Sequence, residues 1–107
     1  MSHDVVDQCS LALDRAVAER LKADPSLLEQ ARGNLRRWLA RNGDAPGLRR
    51  CYEEWLEILD RQPLEKILEL LVAEDEEARR LRQNSPFAGV LRASEVWAIK
   101  RRFRHAT

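Results

Sequence analysis

The chain has 107 residues, 44% of them hydrophobic and 35% charged, with a formal net charge of +1. That length supports one domain with a modest core, and the balance of apolar and charged residues excludes a disordered chain and a membrane protein. The longest uninterrupted apolar run, Leu70, Leu71, Val72 and Ala73, falls far short of the roughly 20 residues a membrane span requires.

The first ten residues carry no basic start, apolar stretch or cleavage site, so no secretory signal is read and the cytoplasm is the expected compartment. Gly and Pro number four each, β-branched residues are sparse, and Leu, Ala, Arg and Glu dominate, which favours helix. A first helix is expected over about Asp4 to Lys22, where Val6, Cys9, Leu13, Ala16 and Val17 recur as one apolar stripe. Asp24-Pro25 then offers a capping carboxylate and a proline whose missing N–H costs nothing at a first helical position. The second helix starts there. It carries Leu28, Ala31, Leu35, Trp38 and Leu39 on one side and Arg32, Arg36, Arg37 and Arg41 around the rest, and it stops near Asn42-Gly43. The turn formers from Asn42 to Gly47 make a loop too short for a domain linker.

A third helix, about Leu48 to Asp60, turns Leu48, Cys51, Tyr52, Trp55 and Leu59 inward and Glu53, Glu54 and Glu57 outward. Gln62-Pro63 opens a fourth, in which Leu64, Ile67, Leu68, Leu71 and Val72 fit an i, i+3, i+4, i+7, i+8 period. Asp75, Glu76 and Glu77 followed by Arg79, Arg80 and Arg82 complement the dipole of a short fifth helix, broken at Asn84-Ser85-Pro86. Ser94 is the expected cap of a last helix with Val96, Ile99 and Phe103 on one face, and residues 104–107 are expected to fray. Trp38, Tyr52, Trp55, Trp97 and Phe103 fall on or beside these inner stripes and read as core. The expected architecture is an all-α single domain over 1–107. It is a compact bundle or orthogonal array of five to six short helices, interrupted by an irregular apolar loop at 84–93.

Catalytic constellations are missing from this pattern. Cys9 and Cys51 lie far apart with no metal-spaced neighbours, and read as buried free thiols in preference to a disulfide. His3 and His105 sit at opposite termini, no Gly-rich phosphate loop occurs, and Glu53, Glu57 and Asp60 share a helix face without the Glu-x-x-His partner of a di-iron bundle. The expectation is a non-enzyme with no cofactor and no metal.

Charge is distributed in blocks, with net −2 over 1–28, +4 over 29–50, −8 over 51–77 and +7 over 78–107. Such blocks pair within the fold, meet a partner protein, or present cations to nucleic acid. Nucleic-acid binding would use Arg32, Arg36, Arg37 and Arg41 with Lys100, Arg101, Arg102 and Arg104, against the repulsion of the acidic third and fourth helices. Self-association would use an apolar helix face such as Leu64, Leu68 and Leu71.

The stretch 84–93 has two readings. It is either an ordered connector that plugs the open end of the bundle, or a docking surface with Phe87, Val90 and Leu91 as contact core and arginines as rim. The run Leu81-Arg82-Gln83-Asn84-Ser85-Pro86-Phe87-Ala88-Gly89-Val90-Leu91, followed by Glu95, Trp97, Ile99, Arg102 and Phe103, resembles the end of small all-helical bacterial antitoxin-type proteins, which pair with a toxin enzyme. The resemblance covers the C-terminal quarter and implies a non-catalytic binder that masks its partner. The expected function is therefore a cytoplasmic protein-interaction module that binds another protein through Arg82, Pro86, Phe87, Val90, Leu91, Arg92, Arg101 and Arg102. A nucleic-acid-binding accessory protein and a self-associating homo-oligomer are the alternatives, and no membrane partner is expected.

Overall fold

The structure, a computed structural model, describes residues 3–104, with side chains from Val5 onward. Its elements are α1 (His3–Ala23), a 3₁₀ turn (Pro25–Leu27), α2 (Leu28–Asn42), α3 (Pro46–Arg61), α4 (Leu64–Val72), α5 (Glu76–Arg82) and α6 (Ala93–Arg104). No strand occurs among the described residues, so the all-α expectation holds. The expected fraying falls mostly on residues 105–107, which lie outside the described residues, as do the side chain of His3 and all of His105.

Local chemistry sets the helix boundaries. Asp24 accepts from the Ser26 N–H at 3.2 Å, and Pro25 opens the 3₁₀ turn, so α2 begins only at Leu28. Pro46 occupies the first turn of α3 and starts it two residues ahead of the expected Leu48. Asp75 caps α5 by accepting from the Ala78 N–H at 3.4 Å. Ser94 does not cap α6, which begins one residue earlier. Glu95 reaches back to accept from the Arg92 N–H at 3.1 Å, while the Arg92 carbonyl accepts from the Glu95 and Val96 amides, which is half of a capping box.

Helices α2 and α3 pack together across a three-residue turn, and α1 lies against both α4 and α6. Leu21, Leu35, Trp55, Ile67 and Leu71 are fully buried where these pairs meet. The Trp55 indole donates to the Leu81 carbonyl at 2.8 Å and meets the Phe87 ring edge to face, with centroids 5.9 Å apart. Trp38 and Tyr52 stack at a tilt, 5.5 Å between centroids.

Two apolar stripes differ from the sequence reading. On α1 the buried residues are Val17, Ala18 and Leu21, whereas Val6 is 48% exposed, because the core contacts concentrate on the C-terminal half of the helix. On α4, Ile67 and Leu71 are buried and Leu64 and Leu68 half-buried, so Leu71 is spent inside the fold and does not belong to a face for self-association. Cys9 and Cys51 are free and only half-buried.

The connector between α5 and α6 turns its apolar residues inward. Pro86 is fully buried, Phe87 is 5% and Val90 4% exposed, and Leu91 packs half-buried against the core. Asn34, buried on α2, holds the segment by donating to the Pro86 and Ala88 carbonyls at 2.9 and 3.0 Å. Gly89 sits at φ +84°, where an added Cβ would fall 2.8 Å from Gln30 Nε2. Of the two readings of this stretch, the plug is the one observed.

Candidate functional site

The charge blocks meet within the fold before any partner is considered. Arg32 joins Asp60 at 3.0 Å, Arg80 joins Glu54 at 2.6 Å, Arg82 joins Asp14 at 3.2 Å and Arg20 joins Glu95, each bridging two helices. Further pairs such as Arg49–Glu53, Arg61–Glu57 and Lys66–Glu69 run along single helices. The acidic middle of the chain is thus largely compensated. Arg36, Arg41, Arg50, Arg101 and Arg102 are exposed and make no ion pair among the described residues.

Arg36 and Arg41 lie on α2 and Arg50 on α3, while Arg101 and Arg102 lie on α6. Val96, Ile99 and Phe103 turn inward at i, i+3 and i+7, with Ile99 buried. Trp97 precedes Ile99 by two residues, about 200° around the helix at 3.6 residues per turn, and so points to solvent. At 56% exposed it is the most exposed large hydrophobic side chain of the described residues, which corrects the reading of Trp97 as core. The Lys100 ammonium stands 5.9 Å from its ring centroid. Trp97, Lys100, Arg101 and Arg104 follow at i, i+3, i+4 and i+7, forming one aromatic and basic stripe, and Arg102 stands about 140° around the helix from Trp97.

The expected binding residues divide accordingly. Pro86, Phe87 and Val90 lie in the core, and Leu91 is half inside. Arg82 is no rim residue: its side chain is only 10% exposed, its Nη1 donates to the Leu70 carbonyl at 2.8 Å, and it pairs with Asp14. Arg92, Arg101 and Arg102 are on the surface, on or beside α6. The offset of Trp97 from the Val96, Ile99 and Phe103 stripe was the available signal for its exposure.

Two clefts accompany this surface. A cleft of about 450 Å³ opens between α1 and α5, lined by Asp7, Leu11, Asp14, Glu74, Arg79 and Arg82 among others. Burial pushes the Asp14 carboxyl up to about 6, against the lowering influence of the Arg82 guanidinium. A smaller cleft of about 350 Å³ is lined by Trp38, Asn42, Tyr52, Gln83, Asn84 and Ser85. The Glu95 carboxyl is held below the usual range by the Arg92 N–H and the Arg20 guanidinium, which fixes the start of α6.

Among the described residues, no group of three or more His, Cys, Asp or Glu side chains is placed to hold a metal ion, and no helix is long and apolar enough to cross a membrane. Comparison with protein families, curated proteins and solved structures finds no match for the chain.

Proposed function

We propose that the protein is a non-catalytic protein-interaction module that docks an acidic surface of a partner protein against the outward stripe of α6. The observation that carries this reading is the exposed Trp97 ring, with Lys100 and Arg101 at i+3 and i+4 on the same side of α6. A large apolar ring is costly to leave in water, and tryptophan with arginine is the pairing that dominates protein-interface energetics. Among the described residues Lys100, Arg101 and Arg102 make no ion pair, so a partner's acidic groups complete the surface. Nucleic acid fits less well, because the basic stripe occupies one 12-residue helix of a chain whose net charge is only +1. The antitoxin-type resemblance adds a class for the partner, an enzyme masked by contact, with Trp97, Arg101 and Arg102 taking the role first expected of Phe87 and Val90.

The test is capture from nuclease-treated native lysate at moderate salt, comparing the wild type with Trp97→Ala and Arg101→Glu. The expected result is one protein held by the wild type through an acidic region and weakened about 30-fold or more by Trp97→Ala, the cost of a lost hot spot. Equal capture by all three proteins, or binding seen only without nuclease, overturns the reading.

A further inference from the structure

The cleft of about 350 Å³ beside Trp38 forms where α2, α3 and the start of the buried connector converge. Trp38 and Asn42 line it from the C-terminal end of α2, Tyr52 from α3, and Gln83, Asn84 and Ser85 from the turn that follows α5. That turn is fixed at both ends: its amides donate to α5 carbonyls, and Pro86 beyond it is fully buried. Asn42 is held too, its Nδ2 donating to the Trp38 carbonyl at 3.2 Å. The volume lies within the range of small-molecule sites.

Tyr52 supplies an independent pointer to a ligand. It is only 8% exposed, and its hydroxyl has no hydrogen-bond partner among the described residues. None of their fully buried side-chain oxygens or nitrogens lacks a partner, so the hydroxyl is where Tyr52 meets open space, and the cleft is the space it lines. Asn42 Oδ1 and the side chains of Gln83, Asn84 and Ser85 are likewise unbonded among the described residues. Hydroxyls and carboxamides alike offer donors and acceptors together.

This lining selects its ligand. No charged side chain lines the cleft among the described residues, so nothing there offsets the desolvation of a full charge. The C-terminal ends of α2 and α5 both meet at it, and helix C-termini disfavour an anion further. A neutral ring rich in hydroxyls fits: its hydroxyls give and take hydrogen bonds as the lining groups do, and its C–H face suits the half-buried Trp38 indole. We propose that the cleft binds one neutral sugar ring, a hexose either free or at the end of a glycan, with Trp38 as platform and Tyr52, Gln83, Asn84 and Ser85 as hydrogen-bonding groups. It shares no residue with the α6 stripe and stands independently of the docking reading.

Magnetic-resonance titration of the full chain with glucose, galactose, mannose and their methyl glycosides tests the site, with adenosine monophosphate and spermidine as charged probes. The Trp38 indole N–H and the Asn42, Gln83 and Asn84 carboxamides should shift saturably with at least one sugar, while the exposed Trp97 indole stays still. Tyr52→Phe keeps the ring and should weaken that sugar about fivefold, the worth of one hydrogen bond. Gln83→Ala, at an exposed position, serves the same purpose should Tyr52→Phe fail to fold. Retained binding of the methyl glycoside assigns a glycan end and its loss a free sugar, and either supports the site. The proposal is overturned by still cleft signals up to about 100 mM of every sugar, by equal movement of Trp97, or by an affinity unchanged in the folded variants. Saturable cleft shifts from a charged probe alone overturn it as well.

Discussion

Asn34 of α2 donates to the backbone carbonyl of Pro86, 52 residues further along the chain, at 2.9 Å, and the same amide also reaches Ala88. The Asn34 side chain accepts in turn from Arg37, so one buried amide fixes a segment that has no helix of its own. Replacing it with Ala strips the buried Pro86 carbonyl of its side-chain donor and leaves the Ala88 carbonyl only Gln30, at 3.4 Å, and is expected to cost about 1–3 kcal/mol. Chemical denaturation of Asn34→Ala measures this directly, and an unchanged midpoint would show that solvent supplies the missing donor.

Phe87→Ala removes the ring that meets Trp55 edge to face and leaves a cavity in the hydrophobic core. The expected loss is about 3–5 kcal/mol, a large share of the total stability of a domain this size. Partner capture per folded molecule should stay close to wild type. A small stability change with lost capture would instead return Phe87 to the surface.

Gly89→Ala meets two penalties at once, a positive φ that L residues avoid and a Cβ 2.8 Å from Gln30 Nε2. The substitution is expected to destabilise by about 1–2 kcal/mol, readable as a lowered thermal midpoint. Gly47, with open space around its Cα, is the matched control and should tolerate Ala at little cost.

Stability should depend on pH in a direction unusual for an aspartate. The Asp14 carboxyl titrates higher in the folded chain than in the unfolded one, so the native state holds more protons between about pH 4 and 6. Its contribution is complete below about 4 and is lost as pH rises through about 6, for a total of about 3 kcal/mol. Glu77, held low by the Arg80 guanidinium, and Glu95, held low by the Arg92 backbone N–H and then the Arg20 guanidinium, act in the opposite direction, as pH falls through the glutamate range. Urea midpoints across this window should fall as pH rises in the wild type and stay level in Asp14→Asn.

The helices were legible because their signals are local. Leu64, Ile67, Leu68, Leu71 and Val72 carry an unbroken period, and Pro25 and Pro63 mark the starts of their segments, whereas Pro46, read as part of the loop, starts α3. The buried connector was half legible: Pro86, Phe87, Gly89 and Val90 announce an irregular apolar stretch, but whether it faces core or solvent depends on Asn34 and Trp55, many positions away. Trp97 was misplaced because nearness to an apolar stripe is not membership of it, and the side on which α6 meets α1 decides. Asp14 shares the buried face of α1 with Ala18 and Leu21 at i, i+4 and i+7, a polar residue on an apolar face whose partner, Arg82, lies far along the chain.

The docking stripe of α6 is the central claim, and a photo-activated cross-linking residue in place of Trp97 interrogates it most directly. The control carries the same group at Glu57, on the outer side of α3, and both are tested in native cells with and without Arg101→Glu. The account predicts one protein adduct from position 97, resistant to nuclease, abolished by Arg101→Glu and absent from position 57. A nucleic-acid adduct, or equal adducts from both positions, would contradict it.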